Sequence, residues 1–390
     1  MIYIIAFIIL IGVIVFVHEL GHYIAARSVG VGVERFSIGM PPNFIDLKKT
    51  KAGLILDIYF FSLSNSRIKW KKIYSKTFKS FRNPSDTIFT VGLLPLGGYV
   101  KMKGILDESM DSEFAGADDE LESKTPLQKI WVMSAGVIMN IILTFFVFSF
   151  IGGIQGEMIT ENDEAVIDFV VPGGPADQNG LIDGDKIIRI NDLEINSWSK
   201  AVSTIEKYPN QNISIDILRD DIILNKDISL ISRPNLDSGR VDQEVGALGV
   251  SKKQISKTLS FSESLSYGIR ETKWAMVLMT SSLKMIFQGN VSRDDVGSVI
   301  MIGDMAGQAA QAGLVPFLFL MALISVNLAY INILPIPGLD GGHIAIILIE
   351  VLMGRSLSVK ARIRIQSVGM FLLFSLMIFL ILNDIIRVFS

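Results

Sequence analysis

Four long apolar runs constrain what this chain can fold into more than any other feature. A helix needs about 20 mostly apolar residues to cross a bilayer, and runs of that kind cover residues 2–24, 130–153, 314–334 and 365–383. Composition agrees, because 50% of the residues are hydrophobic and only 19% are charged. We therefore predict a polytopic α-helical membrane protein with about four transmembrane helices and a sizeable polar portion.

An H-E-x-x-H sequence ends the first run, at His18-Glu19-Leu20-Gly21-His22. Histidines four positions apart lie on one face of a helix, so both imidazoles can bind one metal ion. Since the chain has 0 cysteines, zinc would need histidine and carboxylate ligands. Ionisable groups inside an apolar span are costly and usually functional, so a chance match is the weaker interpretation. The pattern indicates a zinc hydrolase site, with Glu19 removing a proton from the bound water.

The first run could also be taken for a secretory signal. It lacks a basic start, and a signal has no reason to end in two histidines and a glutamate. We interpret it as a membrane span.

A third metal ligand must come from another segment, and the best candidate follows the third run. There Pro335 and Pro337 break the helix, and the chain reaches Asp340 at the same end of the membrane as the H-E-x-x-H sequence. Asp340 would complete a His₂Asp site with one open position. His343 is a weaker candidate, as the third ligand or as a partner that orients one. The alternative is an incidental aspartate in an interfacial turn.

Basic residues predict the orientation in the membrane. Many follow the first run, and the loop between the third and fourth runs holds Arg355, Lys360, Arg362 and Arg364. Both segments lie on one side of a four-span protein, so we expect both to be cytoplasmic. The segment between the second and third runs and both termini are then external, and the metal site lies near the cytoplasmic side.

The first cytoplasmic segment contains an apolar stretch, 88–102, which is too short and too rich in Gly and Pro to span. We predict β structure there, with a bend at Gly97-Gly98. Residues 65–82 are basic with interleaved aromatics. They form either a solvated insert or a helix that lies on anionic lipid. Residues 102–125 are acidic and predict a loop.

The external segment opens with a predicted soluble α/β domain over 161–252. Its order of strands and helices, with Gly-Leu-x-x-Gly-Asp-x-Ile at 180–187, resembles a bacterial PDZ domain. Such domains bind a peptide as an added strand, and Leu248, Gly249 and Val250 are the candidate binding residues. An equally weighted alternative is that these three residues only complete the sheet. Residues 262–288 predict an amphipathic helix.

Taken together, these elements resemble the RseP-type site-2 proteases, which are intramembrane zinc metalloproteases. The matching parts are 18–22, 94–102, one PDZ-like module and 325–343. The resemblance implies that His18, His22 and Asp340 bind one Zn²⁺ per chain and that Glu19 is the general base. It implies that the Gly97-Gly98 loop enters the membrane as a β-hairpin and pairs with the substrate. The substrate-binding residues are then Asn332, Pro335, Pro337, Leu96, Gly97, Gly98 and Tyr99.

These assignments divide the chain into seven parts. Residues 1–26, 130–153, 313–343 and 365–385 are the transmembrane helices, and 27–129 is the cytoplasmic segment with the membrane-associated hairpin. Residues 161–252 are the extracytoplasmic PDZ domain, and 253–312 are an extracytoplasmic amphipathic linker.

We expect the protein to hydrolyse peptide bonds within transmembrane segments, in the cytoplasmic (inner) membrane of a bacterium. The resemblance suggests single-pass substrates, such as anti-sigma factors after a first cut or remnant signal peptides, with the lipid bilayer as a further partner and no nucleic acid. The main alternative is a non-proteolytic membrane PDZ scaffold with a vestigial metal site. A metal transporter fits poorly, because the ionisable groups gather at one depth.

Overall fold

The computed structural model describes residues 1–64, 67–78, 87–104, 116–290 and 297–389. It divides into two units, Met1–Val147 with Ser292–Ser390, and Phe148–Val291. We call them the membrane unit and the central unit.

Four helices in the described residues are long and apolar enough to cross a membrane, which agrees with the four predicted runs. Most of their side chains are apolar because a bilayer interior has no water to solvate polar groups, whereas a helix pairs its backbone internally. The four are α1 (Ile2–Ser28), α2 (Pro126–Gln155), α7 (Leu314–Ile333) and α9 (Val359–Phe389). The other helices are α3 (Pro175–Gln178), α4 (Trp198–Ile205), α5 (Phe261–Gln288), α6 (Val299–Ala312) and α8 (Asp340–Met353).

The fourth membrane helix begins six residues before the predicted run, because it includes a charged first turn. Arg362 lies in α9 and bonds the carboxylates of Glu122 and Glu350. These partners neutralise the guanidinium, so the helix can begin at Val359 although the charged Arg362 lies before the predicted apolar run.

The membrane unit also contains an antiparallel sheet with the strand order β3-β2-β1-β4. Its strands are β1 (Val33–Thr50), β2 (Gly53–Ser64), β3 (Arg67–Phe78) and β4 (Ile88–Met102). Strand β1 pairs with β4 in three stretches, because both strands bend and residues 88–91 of β4 pair with both halves of β1. Pro41 and Pro42 interrupt β1, and Gly97 has φ +90° in β4, so the predicted bend is present.

The helical alternative for the basic stretch 65–82 is wrong for its described residues. Residues 67–78 form strand β3, which pairs with β2. A register shift between Ile58 and Tyr59 leaves Ile73 as an extra residue on β3, and this bulge hides the two-residue alternation of a strand. Residues 65–66, 79–82 and 105–115, which carry parts of the predicted insert and loop, lie outside the described residues.

One face of this sheet packs on α1. The Phe36 ring lies 5.9 Å from that of Phe16 and 5.6 Å from that of Tyr23, and Phe89 also contacts Tyr23. Because Phe16 and Tyr23 flank the H-E-x-x-H sequence, this packing brings β1 and β4 beside it.

The central unit contains a four-stranded antiparallel sheet of order β10-β9-β7-β8. Alternate residues Ile213, Ile215 and Ile217 of β9 are fully buried against α4, as the predicted strand pattern requires. The strands are β5 (Glu157–Thr160), β6 (Phe169–Val170), β7 (Lys186–Ile190), β8 (Leu193–Glu194), β9 (Asn212–Arg219), β10 (Ile222–Ser229), β11 (Ile231–Asn235), β12 (Arg240–Ala247), β13 (Val250–Ser251) and β14 (Gln254–Lys257).

The Gly-Asp sequence of the predicted PDZ signature has a structural role in this unit. The Asp185 carboxylate is buried and accepts two hydrogen bonds from the Arg219 guanidinium, at 2.7 and 2.8 Å. It also accepts a hydrogen bond from the backbone N–H of Ile182. The assignment of this unit as a PDZ domain stays a prediction.

Candidate metal centre

Helices α1 and α2 approach each other closely at the H-E-x-x-H sequence. A Cβ added at Gly21 would lie 2.4 Å from the carbonyl oxygen of Ala135, so only glycine permits this approach. As a result the His18 and His22 side chains are buried between the helices, each 7% exposed.

The chain after α7 turns back on itself and delivers Asp340 to the same place. Gly338 has φ +99°, a conformation that favours glycine, and α8 then begins at Asp340. A Cβ at Gly341 would lie 2.1 Å from the carbonyl oxygen of Ile333. The Pro-Gly-rich segment thus folds backbone against backbone and points the carboxylate at the two imidazoles.

The three side chains form a nearly equilateral triangle of ligand atoms. Asp340 Oδ2 lies 3.2 Å from His18 Nε2 and 3.3 Å from His22 Nε2, and the two nitrogens are 3.2 Å apart. Ligands about 2.0–2.1 Å from a tetrahedral zinc ion are separated by roughly 3.3 Å. The triangle therefore has the dimensions of three zinc ligands with a fourth position open.

Two further observations fit a metal ion at this centre. Asp340 Oδ2 is buried and lies within 3.3 Å of both imidazole Nε2 atoms without a hydrogen bond to either, which is costly unless a cation compensates it. In addition, Gly136 of α2 leaves room beside the rings. A Cβ there would lie 2.5 Å from both His18 Cε1 and His22 Nε2. The donor set of two imidazoles and one carboxylate suits zinc.

Both imidazoles are oriented by contacts to their other ring nitrogen. His22 Nδ1 lies 2.8 Å from the carbonyl oxygen of Val132 and can donate to it, which directs Nε2 to the centre. His18 Nδ1 lies 3.3 Å from the amide nitrogen of Asn140, whose Oδ1 is buried without a hydrogen-bond partner in the described structure. Rotating this amide by half a turn would place Oδ1 to accept from His18 Nδ1–H.

A cavity of about 270 Å³ opens onto the triangle, and several residues predicted for catalysis or substrate binding line it. Its lining includes Glu19, Asn332, and Gly97, Gly98 and Tyr99 of β4. The Asn332 amide nitrogen lies 3.3 Å from His18 Nε2, so its N–H groups are close to the open position.

Strand β4 reaches the cavity because Gly98 has no side chain. A Cβ at this position would lie 2.7 Å from the carbonyl oxygen of Ser37, 3.2 Å from a methyl of Val15 and 3.4 Å from Glu19 Cγ. The strand backbone is thereby brought next to the glutamate of the H-E-x-x-H sequence.

Three other predicted substrate-binding residues are not among the described residues that line this cavity. Pro335 and Pro337 are absent from the described lining of the cavity and shape the turn before α8 instead. The side chain of Leu96 lies outside the described residues. His343 lines the cavity, but its ring bonds Gln366 at 3.1 Å and it is not part of the three-ligand group.

In the central unit, Leu248, Gly249 and Val250 line a groove of about 260 Å³ that α4 closes on the other side. The carbonyl groups of Leu248 and Gly249 accept hydrogen bonds from Ala176 and Val171, and Val250 pairs with β6. These residues therefore complete a small sheet and also face a groove, so both interpretations from the sequence stay open.

Sequence reasoning did not assign roles to Gly136 and Gln366. A glycine inside a helix costs about 1 kcal/mol relative to alanine, but Gly12 in α1 has no described atom near its Cβ position, so a glycine in an apolar span did not by itself indicate the close approach at Gly136. Nothing in the sequence indicated that Gln366 would contact His343, because that contact depends on how α8 and α9 pack.

Comparison with known proteins gives a consistent result. The model of peptidase family M50 matches residues 6–66 and 58–376. A Campylobacter jejuni protein is 31% identical over 98% of this chain and 93% of its own length. The zinc metalloprotease RasP of Bacillus licheniformis is 28% identical over 99% of both chains. The regulator of sigma-W protease RasP of Bacillus subtilis is 25% identical, again over 99% of both.

Proposed function

The chain belongs to peptidase family M50 and is a zinc metalloprotease, and we propose that it cleaves peptide bonds inside the transmembrane segments of other proteins. The observation that carries this proposal is the triangle of His18, His22 and Asp340, which the membrane helix α1 and the start of α8 bring together. A hydrolytic centre built into membrane-spanning helices is suited to substrates in the same environment.

The geometry supports the following catalytic roles. His18, His22 and Asp340 would hold the zinc ion, which when bound polarises the scissile carbonyl and lowers the pKa of a bound water towards about 7. Glu19 takes the proton of the attacking water and passes it to the leaving amine. The Asn332 amide donates a hydrogen bond to the carbonyl oxygen as negative charge develops on it.

The substrate must unwind before it can react, and β4 offers a way to stabilise the unwound form. Each amide freed in hydrocarbon costs a few kcal/mol unless it is bonded again. In the described residues, the half of β4 at 97–102 pairs on one edge with β1, and it lines the catalytic cavity. A substrate segment added to its other edge would regain its backbone hydrogen bonds.

The proposed location is the cytoplasmic membrane of a bacterium, with the metal centre near the cytoplasmic side. The basic residues around β1–β3 and at the start of α9 support this orientation. Both termini and the central unit would then be extracytoplasmic.

Anti-sigma factors that another protease has already shortened are the proposed substrates, together with remnant signal peptides. The name of the Bacillus subtilis relative, regulator of sigma-W protease, supports the first class. The PDZ-like domain would act as a size filter for the external part of the substrate. Deleting residues 161–252 should then permit cleavage of an untrimmed substrate, and unchanged selectivity would contradict the filter.

The direct test of the proposed function is Glu19→Gln in the full-length protein, reconstituted in liposomes with a single-pass reporter substrate. The variant should keep one zinc ion per chain, because Glu19 is not a ligand, and should lose cleavage by a factor of at least about 100. Turnover at the wild-type rate would remove Glu19 from its role. A wild-type protein that binds zinc but cleaves no membrane substrate would contradict the proposal as a whole.

A further inference from the structure

A second and larger cavity, of about 730 Å³, lies on the opposite face of the β1–β4 sheet from α1. The charged residues of its described lining are three bases and one acid, namely Arg35, Lys48, Lys101 and Asp46. Tyr99 and Val100 line both this cavity and the catalytic one. We call it the basic cavity.

The three bases lie in one row across the sheet. Arg35 is the direct cross-strand partner of Lys101 on one side and of Ile88 on the other, and Ile88 in turn pairs with Lys48. Paired residues share a face of the sheet, and like charges directly opposite each other are destabilising. The row therefore brings two cations together at the end nearest the catalytic cavity.

The acids nearby compensate this charge only partly. Arg35 uses one nitrogen, Nη1, to bond Asp46 at 2.9 Å and Thr90 at 2.5 Å, and no other hydrogen bond of its guanidinium occurs in the described structure. Lys48 lies 3.4 Å from Asp57. Lys101 lies 3.5 Å from Glu34, and both side chains are more than a third exposed, Lys101 at 35% and Glu34 at 47%.

The end of the row at Arg35 and Lys101 can accept a further carboxylate, because the Lys101–Glu34 pair is more than a third exposed on both sides. An arginine presents several donors in a planar fork that matches a carboxylate, and a lysine adds a mobile point charge. Asp46 is only 2% exposed and lies on the far side of Arg35 from Lys101, because it belongs to the second half of β1. A further anion near Lys101 would add to the weak compensation that the exposed Glu34 provides.

We propose that the basic cavity is a specificity site that takes an acidic side chain of the substrate. This inference rests on the proposed function, in which a substrate segment pairs with the free edge of β4. A residue aligned with Lys101 would then extend the basic row, with its Cβ about 4.5–5.5 Å from that of Lys101. Because side chains alternate along a strand, the substrate residue two positions away faces the same cavity beside Tyr99.

The experiment uses the full-length protein in liposomes and a set of single-pass reporter substrates. Each substrate carries Ala, Asp or Lys at one of the successive positions in its cytoplasmic half. For the wild type, the substrate with Asp should be cleaved with a kcat/KM roughly three- to tenfold higher than that of the substrate with Lys, since each opposed charge pair contributes up to about fivefold. This preference should occur at one position, or at two positions that are two residues apart. Intervening positions should show no such preference.

Two variants of Lys101 and one control test whether the basic cavity causes this preference. Lys101→Gln should abolish it and Lys101→Glu should reverse it in favour of Lys. Lys76→Glu makes the same change of charge on the other face of the sheet, where Lys76 pairs with Leu56, and should leave the preference unchanged. Zinc content and cleavage of the all-alanine substrate show that each variant is folded, and if Lys101→Glu is not, Lys101→Gln decides.

Cleavage of the all-alanine substrate by the wild type, and its loss in Glu19→Gln, test the proposed function separately. An absent Asp preference in an active wild type would overturn the inference, as would an equal preference in the Lys101 and Lys76 variants. Repeating the assay with and without anionic lipid tests another occupant. If Lys101→Glu changes the cleavage of every substrate equally, and only with anionic lipid, the cavity binds a headgroup and the inference is wrong.

Discussion

Gly136→Ala should weaken zinc binding at the metal centre while leaving the helices in place. The added Cβ would lie 2.5 Å from His18 Cε1 and from His22 Nε2, whereas ordinary contacts begin near 3.4 Å. At least one ring must therefore move by about 0.9 Å, which is nearly half of a zinc–nitrogen bond of about 2.0–2.1 Å. Since loss of a group that merely orients a ligand costs 10–100-fold in affinity, we expect zinc affinity to fall by at least about 100-fold, or roughly 2.8 kcal/mol.

The assay is zinc bound per chain at equilibrium with a competing chelator, measured beside reporter cleavage. Gly12→Ala is the matched control, because it makes the same change in α1 and its Cβ would meet no described atom within 4 Å. Gly12→Ala should bind zinc and cleave normally. If Gly136→Ala also binds zinc with unchanged affinity, the ion does not lie between these rings and the account of the centre is wrong.

Two predictions concern the central unit. Asp185→Asn removes the buried charged partner of Arg219 and should destabilise this unit by about 3 kcal/mol. The variant should show faster proteolysis within residues 148–291 and a normal zinc content. Unchanged resistance to proteolysis would contradict the structural role of the pair. Hydrogen bonds from the Ser260 N–H and hydroxyl, and then from Lys257, lower the pKa of Glu263 from 4.5 to about 2. The contribution of this cap is therefore present above about pH 4.5 and lost as the pH falls towards 2. As the pH is lowered over this range, the thermal midpoint of Ser260→Ala should fall less steeply than that of the wild type. Parallel curves would refute the stabilising role of the Ser260–Glu263 cap.

The parts of the fold that follow from local chemistry were predictable. An apolar run of about 20 residues has no stable form in a bilayer other than a helix, so the four spans were evident from the sequence. The alternation of Ile213, Ile215 and Ile217 likewise predicted a strand that is buried on one face. The position of Asp340 near the two histidines followed from the predicted topology, because the third apolar run and the first end on the same side of the membrane.

The parts that depend on packing between distant segments were not predictable. Strand β3 was open to a helical interpretation, since the bulge at Ile73 breaks its alternation. The pairing of Arg35 with Lys101 depends on how β1 and β4 bend and pair with each other. The contact of Asn140 with His18 depends on the rotation of α2 about its axis. The sequence of a helix that is apolar on all sides does not indicate this rotation.

The central claim is that His18, His22 and Asp340 bind one zinc ion, and X-ray absorption at the zinc edge of the purified protein tests it most directly. We predict one zinc per chain with two imidazole nitrogens and oxygen ligands at about 2.0–2.2 Å, and loss of an oxygen ligand in Asp340→Ala. A spectrum with three imidazoles, or one that Asp340→Ala leaves unchanged, would contradict the claim.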